Sequence, residues 1–94
     1  MADTDLLEKV KQMIGLTGTH QDDRIQCYID DIKQYLLDGG VKQEIVESPS
    51  SVGAIARGVS DLYFDGQLSN YFKERAIQLA IKGVGMNVQT KDTV

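Results

Sequence analysis

The sequence predicts an all-α protein, a small bundle of four helices with a flexible or strand-like C-terminal tail. Three observations predict it. Apolar residues recur at helical spacing in four separate stretches, glycines close those stretches, and the single proline falls between the second and third of them. The 94 residues are one domain's worth of chain, read as a helical domain over 1–83 and a tail over 84–94. Hydrophobic residues at 41% against 26% charged are enough to build a modest core and exclude wholesale disorder.

The first helix is predicted over about Asp5 to Ile14, where Leu6, Leu7, Val10, Met13 and Ile14 share a face. Asp3, Thr4 and Asp5 offer an N-cap and negative charge at the positive end of the helix dipole. Gly15 and Gly18 end it. The second helix has Thr19 as its expected N-cap, with Asp22 as a capping-box-like partner. Its stripe is Ile25, Tyr28, Ile29, Ile32, Tyr35 and Leu36, and Gly39-Gly40 supplies a left-handed stop. Val41 to Ser48 reads equally as one helical turn or an extended connector, and Ser48 before Pro49 is biased away from helix.

A Ser50 or Ser51 cap opens the third helix, whose apolar face is Val52, Ile55, Ala56, Val59, Leu62 and Tyr63. Gly58, costly inside a helix, marks a close helix–helix approach. Arg57 and Asp61, four apart, are expected to pair on the surface. The fourth helix is capped by Ser69 and runs to about Lys82. Phe72, Ala76, Leu79 and Ala80 make one stripe, and Tyr71, Ile77 and Ile81 lie near a second. So wide an apolar surface suits a helix buried on one side by its own core and on another by a neighbouring subunit. In the tail, Val84, Met86 and Val88 alternate with polar or small residues, the two-residue period of a strand. Either the terminus is disordered or it pairs with another protein's sheet edge.

Acids outnumber bases 14 to 10, for a net charge of −4, and no basic run occurs. That disfavours wrapping a nucleic acid or an anionic membrane, both of which need clustered cations. No apolar run reaches the ~20 residues of a membrane span. The lone cysteine, Cys27, reads as a small packing residue in a reducing compartment. His20, the only histidine, has no nucleophile motif beside it and reads as a surface residue. The pairs Asp22-Asp23 and Asp30-Asp31 read as a solvated acidic face rather than a magnesium site. Gly83-Val84-Gly85 lacks the context of a nucleotide loop, and no Cys/His set suits zinc. No enzyme activity and no cofactor are expected. Neighbouring helical residues diverge by about 100°, so Tyr63-Phe64 and Tyr71-Phe72 each either leave one member exposed to anchor a partner or lie together on a broad core face.

One order of segments carries more. Asp22-Asp23-Arg24-Ile25 opens a helix that closes on Leu36-Leu37-Asp38-Gly39-Gly40-Val41. Val52-Gly53-Ala54-Ile55-Ala56-Arg57-Gly58-Val59-Ser60-Asp61-Leu62-Tyr63 follows, then Leu68-Ser69, Tyr71-Phe72 and Arg75. This resembles the small head–tail connector (adaptor) proteins of tailed bacteriophages, over about residues 4 to 82. The resemblance implies a structural virion protein, made in the host cytoplasm and placed at the head–tail junction. Its implied partners are the portal protein, the next connector or tail-completion protein, and further copies of itself in a ring of about a dozen. DNA would pass through such a ring without specific binding. The resemblance also implies a C-terminal segment reaching for the portal, here residues 83–94.

The residues expected at contacts are Arg57, Asp61, Tyr71, Phe72 and Arg75, in packing or interface roles, and Val84, Met86 and Val88 in the tail. Asp23, Asp30 and Asp31 are the candidates for a channel wall, where like charge keeps the duplex from adhering. The competing reading is a small helical transcriptional regulator, with Asn70, Lys73, Arg75 and Gln78 of the fourth helix entering a DNA groove.

Overall fold

The computed structural model describes the backbone of residues 3–92 and the side chains of residues 5–82. Helices α1 (Asp3–Ile14), α2 (Asp22–Asp38), α3 (Gln43–Val46), α4 (Val52–Ser60) and α5 (Asn70–Asp92) follow in order. A 3₁₀ turn at Pro49–Ser51 leads into α4, and a π turn at Asp61–Asp65 leads out of it. The four expected helices are present, and the ambiguous 41–48 segment contributes the single turn of α3.

Two helix ends use the same backbone device. The Leu16 N–H donates to the Lys11 carbonyl at 2.9 Å, and the Val41 N–H donates to the Leu36 carbonyl at 2.9 Å. Each bond spans a glycine in the left-handed region, Gly15 at φ 82° and Gly40 at φ 98°. This six-to-one closure satisfies a terminal carbonyl and brings an apolar residue back onto the helix. At the end of α2 that residue is Val41, buried together with Leu36.

The predicted stripes form one core, except that Met13 and Tyr35 are left exposed. Leu6 and Val10 of α1, Ile25, Ile29, Ile32 and Leu36 of α2, Ile55 and Val59 of α4, and Phe72, Ala76 and Leu79 of α5 meet in it. Gly58 sits where α4 crosses both neighbours, as its place within a helix suggests. A Cβ there would lie 2.7 Å from Ile32 Cδ1 and 2.8 Å from Phe72 Cε1. Both of those side chains are fully buried, so neither has room to retreat.

Several local expectations are corrected. Thr19 does not cap α2: Gln21 precedes the helix and makes no side-chain cap bond. The Asp22 carboxylate is drawn instead to the Lys11 ammonium at 2.7 Å, a charged partner that outcompetes a backbone amide. Ser51 precedes α4 but turns its hydroxyl back, donating to the Val46 carbonyl at 2.7 Å and so closing α3 rather than capping α4. Cys27 lies exposed, on the side of α2 away from the isoleucine stripe, and is no packing residue. The alternation at 84, 86 and 88 does not become a strand. The backbone of α5 remains helical through Asp92, and among the described residues no strand offers a partner. A helix satisfies its backbone groups within itself, which an isolated strand cannot do.

Candidate assembly surface

Residue by residue, helix α5 decides what the surface offers. Its buried stripe is Phe72, Ala76 and Leu79. At about 100° per residue, Tyr71 and Arg75 fall on one flank of that stripe, while Lys73 and Ile77 fall on the other. Each flank forms a groove with a different neighbour.

On the first flank, the end of α1, the outer side of α4 and the start of α5 enclose a groove of about 530 Å³. Met13, Arg57, Ser60, Tyr71 and Arg75 line it, and Gly53 and Ala54 lie at its α4 wall. The Arg57 guanidinium stands 5.0 Å from the centroid of the Tyr71 ring, a cation–π contact worth about 0.5–1 kcal/mol at an exposed position. Arg75 Nη1 donates to Gln78 Oε1 at 2.9 Å. No carboxylate lines this groove, so its character is cationic and aromatic.

Beneath the groove lies a polar hub that sequence reasoning placed wrongly. The Arg57–Asp61 pair forms, with Nε donating to Oδ1 at 3.1 Å. Only the arginine is at the surface, however, because Asp61 is 2% exposed. The other carboxylate oxygen accepts from the Ser69 N–H at 3.0 Å and from the Ser69 hydroxyl at 2.6 Å. Ser69 Oγ in turn accepts from the Phe72 N–H at 3.1 Å, the N-cap bond expected of it. One carboxylate thus ties the exit of α4 to the entry of α5 and orients Arg57 over Tyr71. The π turn begins at this same residue.

On the second flank, the end of α2 and the middle of α5 form a groove of about 500 Å³, lined by Tyr35, Asp38, Val41, Lys73, Ala76 and Ile77. Its surface is mainly apolar. Ile77 and Ile81 are each 59% exposed, and Tyr35 is partly so.

The expected contact residues therefore separate. Arg57, Tyr71 and Arg75 converge on one groove with Asp61 below it. Phe72 belongs to the core, fully buried, and its role is packing rather than contact. Each aromatic pair does split as helix geometry requires: Phe64 and Tyr71 are exposed, while Tyr63 and Phe72 turn inward. The inward Tyr63 donates its hydroxyl to Gln21 Oε1 at 3.0 Å. Val84, Met86 and Val88 lie outside the residues whose side chains are described. Asp23, Asp30 and Asp31 are all exposed on α2. Sequence reasoning missed the second buried charge, Lys11, in the last turn of α1. His20 is exposed in the turn before α2, as expected.

Among the described residues, no three His, Cys, Asp or Glu side chains converge as a metal site would require. No helix among them is long and apolar enough to cross a membrane. No curated protein and no solved structure matches the chain. A family described as phage gp6-like head-tail connector protein matches residues 4–82, which is the whole bundle with both of its grooves. This chain belongs to that family, and its role is the structural one of a phage head–tail connector.

Proposed function

We propose that this protein forms a ring beneath the portal of a tailed phage, extends the DNA channel there and joins the capsid to the tail. The observation that carries the reading is the family match across the entire helical domain. It displaces the transcriptional-regulator reading, whose recognition helix would have been α5.

Two features of the chain support the finer reading. The net charge of −4 suits a wall past which DNA must slide without sticking. Asp23 and Asp30, seven apart, share one exposed stripe of α2, and we assign the channel wall to them. Asp31 is rotated about 100° from Asp30, toward the side that carries Asp38. The C-terminal segment, including Val84, Met86 and Val88, is the proposed portal-docking element.

Negative-stain microscopy of the protein mixed with portal tests the reading. The expected result is a ring of added density at one end of the portal; portal particles unchanged by a large excess of connector would overturn it. Removing residues 84–94 is expected to abolish that density while leaving the thermal midpoint of the bundle in place.

A further inference from the structure

The two grooves flanking α5 differ in chemistry, and that difference bears on how copies meet. The α1–α4–α5 groove presents Arg57, already paired to the buried Asp61 beneath it, and Arg75 with Tyr71, and no carboxylate in its lining. Pairing this groove with itself across a two-fold axis would set arginines against arginines, which costs free energy once water is excluded. The α2–α5 groove presents Ile77 and Tyr35 with Asp38 in its lining. Asp38 accepts a hydrogen bond from the neutral Gln34 side chain at 2.8 Å and is exposed. Lys73 stands on the α5 side of the same groove. A cation approaching it is therefore steered to the α2 side, where Asp31 lies two turns before Asp38.

The geometry points to a head-to-tail contact between copies: the Arg57–Tyr71–Arg75 groove of one subunit seats the Tyr35–Asp38–Ile77 flank of the next. The chemistries are complementary, guanidinium to carboxylate and tyrosine ring to exposed isoleucine. The two surfaces point about 120–160° apart around α5, so one subunit does not satisfy both with the same neighbour. Each contact leaves one groove and one flank unfilled, and repetition builds a chain that closes into a ring. This pairing rests on the ring reading above and adds which surfaces make it.

Cysteine cross-linking on the full chain tests it. In a Cys27→Ser background, a protein carrying both Asp38→Cys and Arg75→Cys is mildly oxidised, alone and on portal. The expected pattern on a non-reducing gel is a ladder extending well beyond dimer, with each single-cysteine protein remaining largely monomeric. Efficient dimers from Arg75→Cys alone would show like meeting like and overturn the pairing. A double variant that gives no ladder on portal, where microscopy still shows a ring, would overturn the pairing and leave the ring reading standing. A ladder in solution with no ring on portal would keep the pairing and sink the functional reading. Charge exchange provides a second measurement should the cysteines perturb folding. Arg75→Asp should abolish assembly, and combining it with Asp38→Arg in the same chain should restore it; failure of that rescue in a folded protein counts against the contact.

Discussion

Two buried charges hold this bundle at its corners, and they do so differently. Asp61 joins consecutive elements, with partners four and eight residues away that are a half-exposed arginine and the capped start of α5. Lys11 joins elements across a loop. The residue is 6% exposed, and its ammonium donates to the Gly18 carbonyl and pairs with Asp22 at 2.7 Å, with Glu8 farther off at 3.8 Å. The first joint is mostly hydrogen bonds from a helix N-terminus to an anion; the second is an ion pair reinforced by one carbonyl. Both stand where a helix begins or ends, because there backbone groups lack helical partners and a buried charge can find them. Burial of the charge is therefore not the measure of its cost when lost. What matters is whether the groups left behind can reach water.

Asp61→Ala should cost the bundle most. It strands the Ser69 N–H and hydroxyl under α5, while Arg57 is free to turn outward. Buried donors left unsatisfied cost about 1–3 kcal/mol each, and removing one side of a buried charged pair costs about 3–5 kcal/mol, so a loss of about 3 kcal/mol is expected. Urea denaturation followed by circular dichroism measures it; a loss under about 0.5 kcal/mol would mean the hub contributes nothing net. Ser69→Ala removes only the relay and the N-cap bond, and should cost about 1 kcal/mol. In the double variant the two losses should not add fully, since both remove the bond from the Ser69 hydroxyl to Asp61.

How much of this was legible in the sequence follows from what periodicity can report. Stripes reported the core of each helix, and glycines reported the two helix ends that close over Gly15 and Gly40. Ser69 was readable as a cap because capping is local. Asp61 was not readable as buried. It lies more than about 100° from the centre of the α4 stripe, and the element that covers it is the entry of α5, which the pattern of α4 cannot encode. Lys11 was hidden for the same reason, its partners lying 7 and 11 residues on, beyond a loop. Asp22 was misread because a nearby capping role sufficed to explain it. Of the contact surface, Tyr71 and Arg75 were legible as a helix flank. The groove they share with α4 and α1 needed the packing of three helices to appear.

Lys11→Met sharpens the comparison from the other side. It leaves the buried Asp22 Oδ1 without its cation, but the Asp22 side chain as a whole is a quarter exposed, so the carboxylate can turn to water. The loss should therefore be smaller than that of Asp61→Ala by the same urea measurement; an equal or larger loss would reverse the ranking drawn above.

The two joints should also part in their response to alkali. The hydrogen bond to Asp22, assisted by the charges of Asp22 and Glu8, outweighs the opposing effect of burial and raises the Lys11 ammonium above its ordinary value of 10.5. A group that binds its proton more tightly when folded stabilises the fold fully below its unfolded value, and loses that contribution as pH rises through the folded one. The stability gap between the native chain and Lys11→Met should thus stay level from neutral pH to about 10, then narrow as pH climbs past 10.5. Asp61→Ala should show no such narrowing, because no lysine takes part in its hub. A gap for Lys11→Met that held constant well above pH 11 would mean that the ammonium's charge is not what closes the α1–α2 corner, leaving the packing of its methylene stem as the cause.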